Sequence, residues 1–416
     1  MVCSGFWHGR WSRRFGVAAL VAAASLCASS VAQAQTAAAG GDTRAGRIAV
    51  EQQEKAKDLK PHAPNKAEAV LAKVEEQFIT GSLNWHPFFQ SALAGGGFTL
   101  GAGYLTHVGS YNTIDLRGSY TLSGYSRIET EFRAPRLFDR RGTLSILGGW
   151  REATKVGFYG TGTGNTSKDD RANYSFRQPY VSAALGLRPT RNVLFLAGGV
   201  EYSEWDQRSG EGTDPSVDEV YTPETLPGLG AKITYLHTQG TAAIDWRTTA
   251  GYTRRGGYYG ATYHDFADRD DTFSFRQVEY DVIQHVPLFR DAWVLSLHGR
   301  VETTDTGDNE TIPFYMLPAV GGGSSLRGFS SWRFRDRHSL LLQAEWRVLV
   351  NNFFDTAIFY DAGKVTARRS DLDLEDLKSD YGIGFRIHGP AATPIRIELA
   401  KSNEGLVIVF SSKASF

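Results

Sequence analysis

The fold this chain predicts is all-β, a sixteen-stranded antiparallel transmembrane β-barrel, and three observations predict it. Side chains alternate between apolar and polar along the C-terminal segments. The composition is rich in glycine and aromatics, with 45 Gly, 24 Phe, 18 Tyr and 9 Trp against 2 Met. No apolar run of transmembrane-helix length occurs outside the extreme N-terminus. In 338–350 one face is Leu340, Leu342, Ala344, Trp346, Val348 and Val350, and the other is Ser339, Leu341, Gln343, Glu345, Arg347 and Leu349. Successive strand side chains point to opposite faces, so one face suits lipid and the other a wet lumen. A soluble sandwich would also alternate, but 83–416 is too long for one sandwich and contains no linker that would divide it. Strands of about 10 residues, aromatic girdles, short periplasmic turns and long outer loops describe a transmembrane barrel.

The elements follow in chain order. Residues 1–34 read as a signal peptide: Arg10, Arg13 and Arg14 make a basic start, Gly16 to Leu26 an apolar core, and Ala32-Gln33-Ala34 a small-residue cleavage site near Ala34. Export across the inner membrane is the expectation, with the bacterial outer membrane as destination. Cys3 and Cys27 would leave with this segment, so no disulfide framework or thiol chemistry is expected. Its removal leaves 42 basic and 45 acidic residues, a balance that argues against a nucleic-acid partner. Residues 35–82 form a polar periplasmic linker. Within it Asn65 and Glu68 signal a helix start, and Val70, Leu71, Val74 and Phe78 share one helical face. This short helix over 65–79 is either a tether against the barrel mouth or a plug or docking helix.

The barrel spans 83–416. Strands are expected at 84–93, 96–107, 112–122, 124–134, 142–153, 174–188, 191–205, 231–246, 256–268, 273–287, 291–303, 338–350, 356–365, 380–388, 394–401 and 405–416. An even number puts both termini in the periplasm and all the long connections on the outer side. The first strand alternates worst and borders Gly95, Gly96 and Gly97, which makes the seam between first and last strands the weakest junction expected. Leu406, Ile408, Phe410 and then Phe416 read as the outward row of the last strand and as its recognition signal for assembly.

The glycine-rich GGGSSLRGF (Gly321 to Phe329) lies in the long connection before the twelfth strand, which carries Glu345, and the thirteenth, which carries Asp361 in FYDAGKV. Together with FYGTGTGN (Phe158 to Asn165), DWRTTAGYTRRGGYY (Asp245 to Tyr259) and the terminal phenylalanine, these segments resemble the bacterial surface antigen family, the barrel half of the Bam-type outer-membrane assembly and translocation superfamily. That resemblance implies an outer loop folded back into the lumen, with Arg327 held by Glu345 and Asp361 and flanked by Gly328 and an anchoring Phe329. A guanidinium has a rigid fork of donors that fits carboxylates, which a lysine cannot reproduce. Better-known members carry periplasmic POTRA repeats, and 35–82 is too short for one. The chain therefore looks like the barrel-only branch of the family.

Other chemistries have little support. Gly160 to Gly164 lacks the strand-to-helix setting and lysine of a phosphate loop. His285, His298 and His388 fall singly on lumen faces without a ligand-spaced partner, so no metal or cofactor is expected. No G-x-S-x-G elbow occurs, and an enzyme is not expected. The resemblance implies assistance to insertion or translocation of protein or lipid at the outer membrane. Its partners would be outer-membrane lipid, a client polypeptide or lipid, and a separate periplasmic protein. The competing expectation is a passive pore or structural barrel.

Overall fold

The structure, a computed structural model, describes residues 84–164, 167–190, 193–289, 292–389 and 392–416. The proposed signal peptide and the 65–79 helix lie outside them. The strands are β1 (Trp85–Pro87), β2 (Thr99–Val108), β3 (Asn112–Thr121), β4 (Ser126–Arg136), β5 (Gly142–Phe158), β6 (Ala172–Leu187), β7 (Leu194–Ser209), β8 (Lys232–Asp245) and β9 (Gly256–Asp268). They continue as β10 (Phe275–Phe289), β11 (Trp293–Asp305), β12 (Ala319–Val320), β13 (Phe334–Arg335), β14 (His338–Asn351), β15 (Phe354–Thr366), β16 (Lys378–Ile387), β17 (Ile395–Ser402) and β18 (Gly405–Ser411). One sixteen-stranded sheet runs in sequence order from β1 to β11 and then from β14 to β18, while β12 and β13 pair with each other inside the β11–β14 connection. Every neighbour is antiparallel, as chain-sequential hairpins require.

The alternation read from sequence is the burial pattern of the wall. In β14 the inward Ser339, Leu341, Gln343, Glu345 and Arg347 are buried while Trp346 and Val350 are exposed. Ile358, Tyr360, Tyr381 and Ile383 of β15 and β16 are likewise exposed on the outer face. An Ile358→Arg substitution should therefore destabilise the barrel in lipid by about 2–4 kcal/mol, the range for a cation near the bilayer midplane. Equilibrium refolding into lipid vesicles measures this, and an unchanged midpoint would contradict a lipid-facing position.

Both ends of the sheet differ from expectation. The first strand is not 84–93 but three residues long. Pro87 has no N–H to continue a ladder, and Gly95 and Gly97 take positive φ (93° and 72°) that turns the chain away from the wall. The segment after β1 instead buries Phe88 and Ala92. The last strand stops at Ser411 rather than running to 416. Among the described residues, no backbone ladder joins β1 to β18.

The long connections between β5 and β6, β7 and β8, and β11 and β14 gather at one end around a shared aromatic core. Phe158, Tyr174, Phe176, Tyr235, Phe314 and Tyr315 are all buried there. Tyr174 meets Phe314 edge-on at 4.9 Å and Trp205 stacks on Tyr315 at 5.6 Å. Burying this many aromatics caps the mouth of the barrel with a packed lid. At the opposite end the connection 246–255 folds inward, with Tyr252 stacked on His388 at 3.9 Å and Thr393 Oγ1 donating to Gly251 O (3.0 Å).

Candidate functional site: the lumenal latch

Four wall strands build a charged floor under the β11–β14 connection. Period-two geometry turns Glu345 (β14), Asp361 (β15), Arg386 (β16) and Glu398 (β17) inward, where each is buried. On the same face of β16 stand Gly382 and Gly384. A Cβ on Gly382 would lie 2.5 Å from the ring of Phe359, and one on Gly384 3.1 Å from Glu398. The two glycines thus leave room for an aromatic ring and a carboxylate where side chains would collide. Into that space comes Arg327, with no solvent exposure.

All three guanidinium nitrogens donate to carboxylates. Nε and Nη2 donate to Asp361 Oδ2 and Oδ1, both at 2.7 Å, a bidentate fork. Nη1 donates to Glu345 Oε2 (3.0 Å) and Glu398 Oε1 (2.9 Å). Its carbon sits 3.5 Å from the centroid of Phe359, a cation–π contact strengthened by desolvation. Burial by itself would lower the pKa of Arg327, but the hydrogen bonds and charge of Asp361, then the charges of Glu398 and Glu345, raise it above its ordinary value. The latch cation is therefore permanently charged, and the fork goes whole to Asp361 rather than being split between the two acids.

The residues beside Arg327 fix the loop. Gly328 lies so close to the wall that a Cβ would stand 2.6 Å from Asp380 Cβ, and its carbonyl accepts from Ser402 Oγ at 2.7 Å. Phe329 is buried with Val320, Leu326, Phe334, Leu341 and Val365, and meets Phe334 edge-on at 5.3 Å. Gln343 Nε2 ties the loop to the floor through Ser325 O (2.8 Å) and Asp361 Oδ1 (3.1 Å). From the β12–β13 hairpin, Arg335 is buried and donates to Tyr174 Oη (2.9 Å), which joins the latch to the aromatic lid. The glycine-threonine run after β5 lies over the same hairpin: Gly162 N donates to Arg335 O (2.8 Å), and Thr163 bonds the backbone of Val365.

Glu398, Arg386 and Ser415 belong to this cluster and were not named as site residues from sequence. Arg386 Nη2 donates to Glu345 Oε2 (2.6 Å) and Glu398 Oε1 (3.0 Å). The inward alternation of 386 and 398 was legible, but nothing in one strand's pattern gives its height relative to strands two places away. Leu406, Ile408 and Phe410 are exposed on the outer face, as expected of the last strand. Phe416 lies beyond that strand and stacks on His298 (5.0 Å) and His285 (6.1 Å). The lumen histidines are each committed to hydrogen bonds: His285 to Ser296 (2.7 Å), His298 to Gln343 (2.7 Å) and Asp281 (3.1 Å), His388 to Tyr252 (3.1 Å).

Comparison with known proteins places this geometry. The Omp85 superfamily domain matches residues 108–405. Among solved structures, BamA from Haemophilus ducreyi lacking POTRA domains 1–3 is similar with a TM-score of 0.57 at 16% identity, over 78% of this chain and 67% of that one. CdiB from Escherichia coli gives a TM-score of 0.51 at 10% identity, over 78% of this chain and 61% of that one. At such identities the likeness is one of fold. No curated protein sequence matches significantly.

Proposed function

This chain belongs to the Omp85 superfamily, and from that membership we propose that it assists the insertion or translocation of a polypeptide or lipid at the outer membrane, through the seam between β1 and β18. The seam carries the reading. β1 contributes three residues and β18 seven, with no ladder between them among the described residues. Backbone groups left unpaired in lipid cost several kcal/mol each, so such an edge favours any extended segment that pairs with it.

The latch loop touches both sides of this seam. Trp332 Nε1 donates to Ala94 O (2.8 Å) in the connection between β1 and β2. On the other side, a Cβ on Gly323 would stand 2.7 Å from Val409 of β18, and Arg333 pairs with Glu404 at 2.8 Å in the turn that precedes β18. A clasp built from loop side chains holds the edges in place while leaving their backbone groups available. In this reading the barrel is a passage and performs no covalent chemistry. Its partners are outer-membrane lipid, a client polypeptide or lipid, and a separate periplasmic protein that delivers the client.

A lumen filled by the latch and capped by packed aromatics disfavours the alternative of a diffusion pore. Photo-crosslinkers placed at Trp85 and Ile408 in live cells should both capture one polypeptide or lipid species that a control position, Ile128 on the wall, does not. Adducts no different from those at Ile128, together with steady single-channel conductance of the purified barrel, would replace this reading with the pore.

A further inference from the structure

The carboxyl-terminal residues have two places to go. Along β18 the outward row is Leu406, Ile408 and Phe410, and the same period continued through the tail would put Ser412, Ala414 and Phe416 outward. That extension would lengthen β18 from seven residues to twelve, enough for the roughly 9–11 residues that span a bilayer as a strand. The tail is instead turned into the lumen. Ser415 Oγ donates to Glu345 Oε2 (2.8 Å) and accepts from Arg386 Nη2 (2.9 Å), and Phe416 stacks on His298. The oxygen that Ser415 reaches is the one that Arg327 Nη1 holds at 3.0 Å and Arg386 at 2.6 Å.

We propose that residues 412–416 form a two-position segment whose lumenal position locks the latch. In the inner position Ser415 adds a hydrogen bond to the Arg327–Glu345–Arg386 cluster, Phe416 fills the space beside the two histidines, and β18 stays short at the seam. In the outer position the tail lengthens β18, Phe416 joins the lipid-facing row, and Glu345 loses a donor. Since the tail and the loop share Glu345, with Ser415 helping to hold the carboxylate where Arg327 meets it, a change in one acts on the other, a coupling that is reciprocal by linkage. The coupling concerns what regulates the latch, and it stands whether or not a client passes the seam.

The test uses the full chain in outer membranes. A Phe416→Cys, His298→Cys pair should form an intramolecular disulfide, read by peptide mapping. Leu297→Cys with Ala344→Cys, directly opposed on the outer face of β11 and β14, is the control pair. With the tail trapped by the disulfide, external protease should cut loop 306–337 more slowly than in the same molecules after reduction. Ser415→Ala should speed that cleavage about tenfold, the scale of one hydrogen bond to a charged group, and Ser415→Thr should restore the parental rate. The proposal is overturned by failure of the 416–298 pair to bridge while the control bridges. It is equally overturned by loop cleavage that ignores the state of the tail.

Discussion

Arg327→Ala should destabilise the barrel by about 3–5 kcal/mol, the cost of removing one partner from a buried ionic cluster. Asp361, Glu345 and Glu398 would be left facing one another with 0–2% of each side chain exposed. Arg386 would still pair with Glu345 and Glu398, but Asp361 would lose both donors of its fork with almost no water reaching it. Arg327→Lys should recover only part of the loss, because an ammonium cannot reproduce the fork on Asp361 while also reaching Glu345 and Glu398. Glu345→Gln and Asp361→Asn should each resemble the arginine variant and combine with it less than additively, since all remove members of one network. Urea unfolding midpoints of the refolded barrel supply the double-mutant cycle. Losses that simply add would show that the loop is not held by these groups.

Gly328→Ala should be the second most damaging small change. Its new methyl would sit 2.6 Å from Asp380 Cβ and 3.1 Å from Ser402 Cβ, both on wall strands that cannot retreat without breaking their ladders. Overpacking of this kind costs roughly 1–3 kcal/mol, and here it would also lift the adjoining Arg327 off its acids. Gly240→Ala, on β8 with nothing within 4 Å of the added atom, is the matched control and should change stability by less than about 0.5 kcal/mol. Equal effects at the two positions would mean that the latch does not press against β16 and β17. Protease access to loop 306–337 should rise in the first variant only.

What the sequence determined by itself was everything that depends on period and punctuation. Alternation assigned the inner and outer faces of β14 to β17, and between the first and last strands most bounds agree within a few residues, as with 256–268 for β9 and 338–350 against His338–Asn351 for β14. Those features are local, because a strand's two faces and its glycine-marked ends are written in consecutive residues. The roles of Arg327, Glu345 and Asp361 came from resemblance to a family, and the structure brings those three groups together.

What only the tertiary structure decided depends on relative height around a staggered wall. Arg386 reaches the Glu345 carboxylate from the second strand beyond β14 and Glu398 reaches the Arg327 guanidinium from the third, encounters set by inter-strand register rather than by any one segment. The fate of Phe416 could not be read either: its alternation fits the lipid face, yet it lies against His298 because Arg386 and Glu345 bind Ser415. The three-residue length of β1 was decided the same way, by burial of Phe88 and Ala92 inside rather than by the propensity of 84–93. In each case two placements satisfied the local pattern, and contacts distant in sequence chose between them.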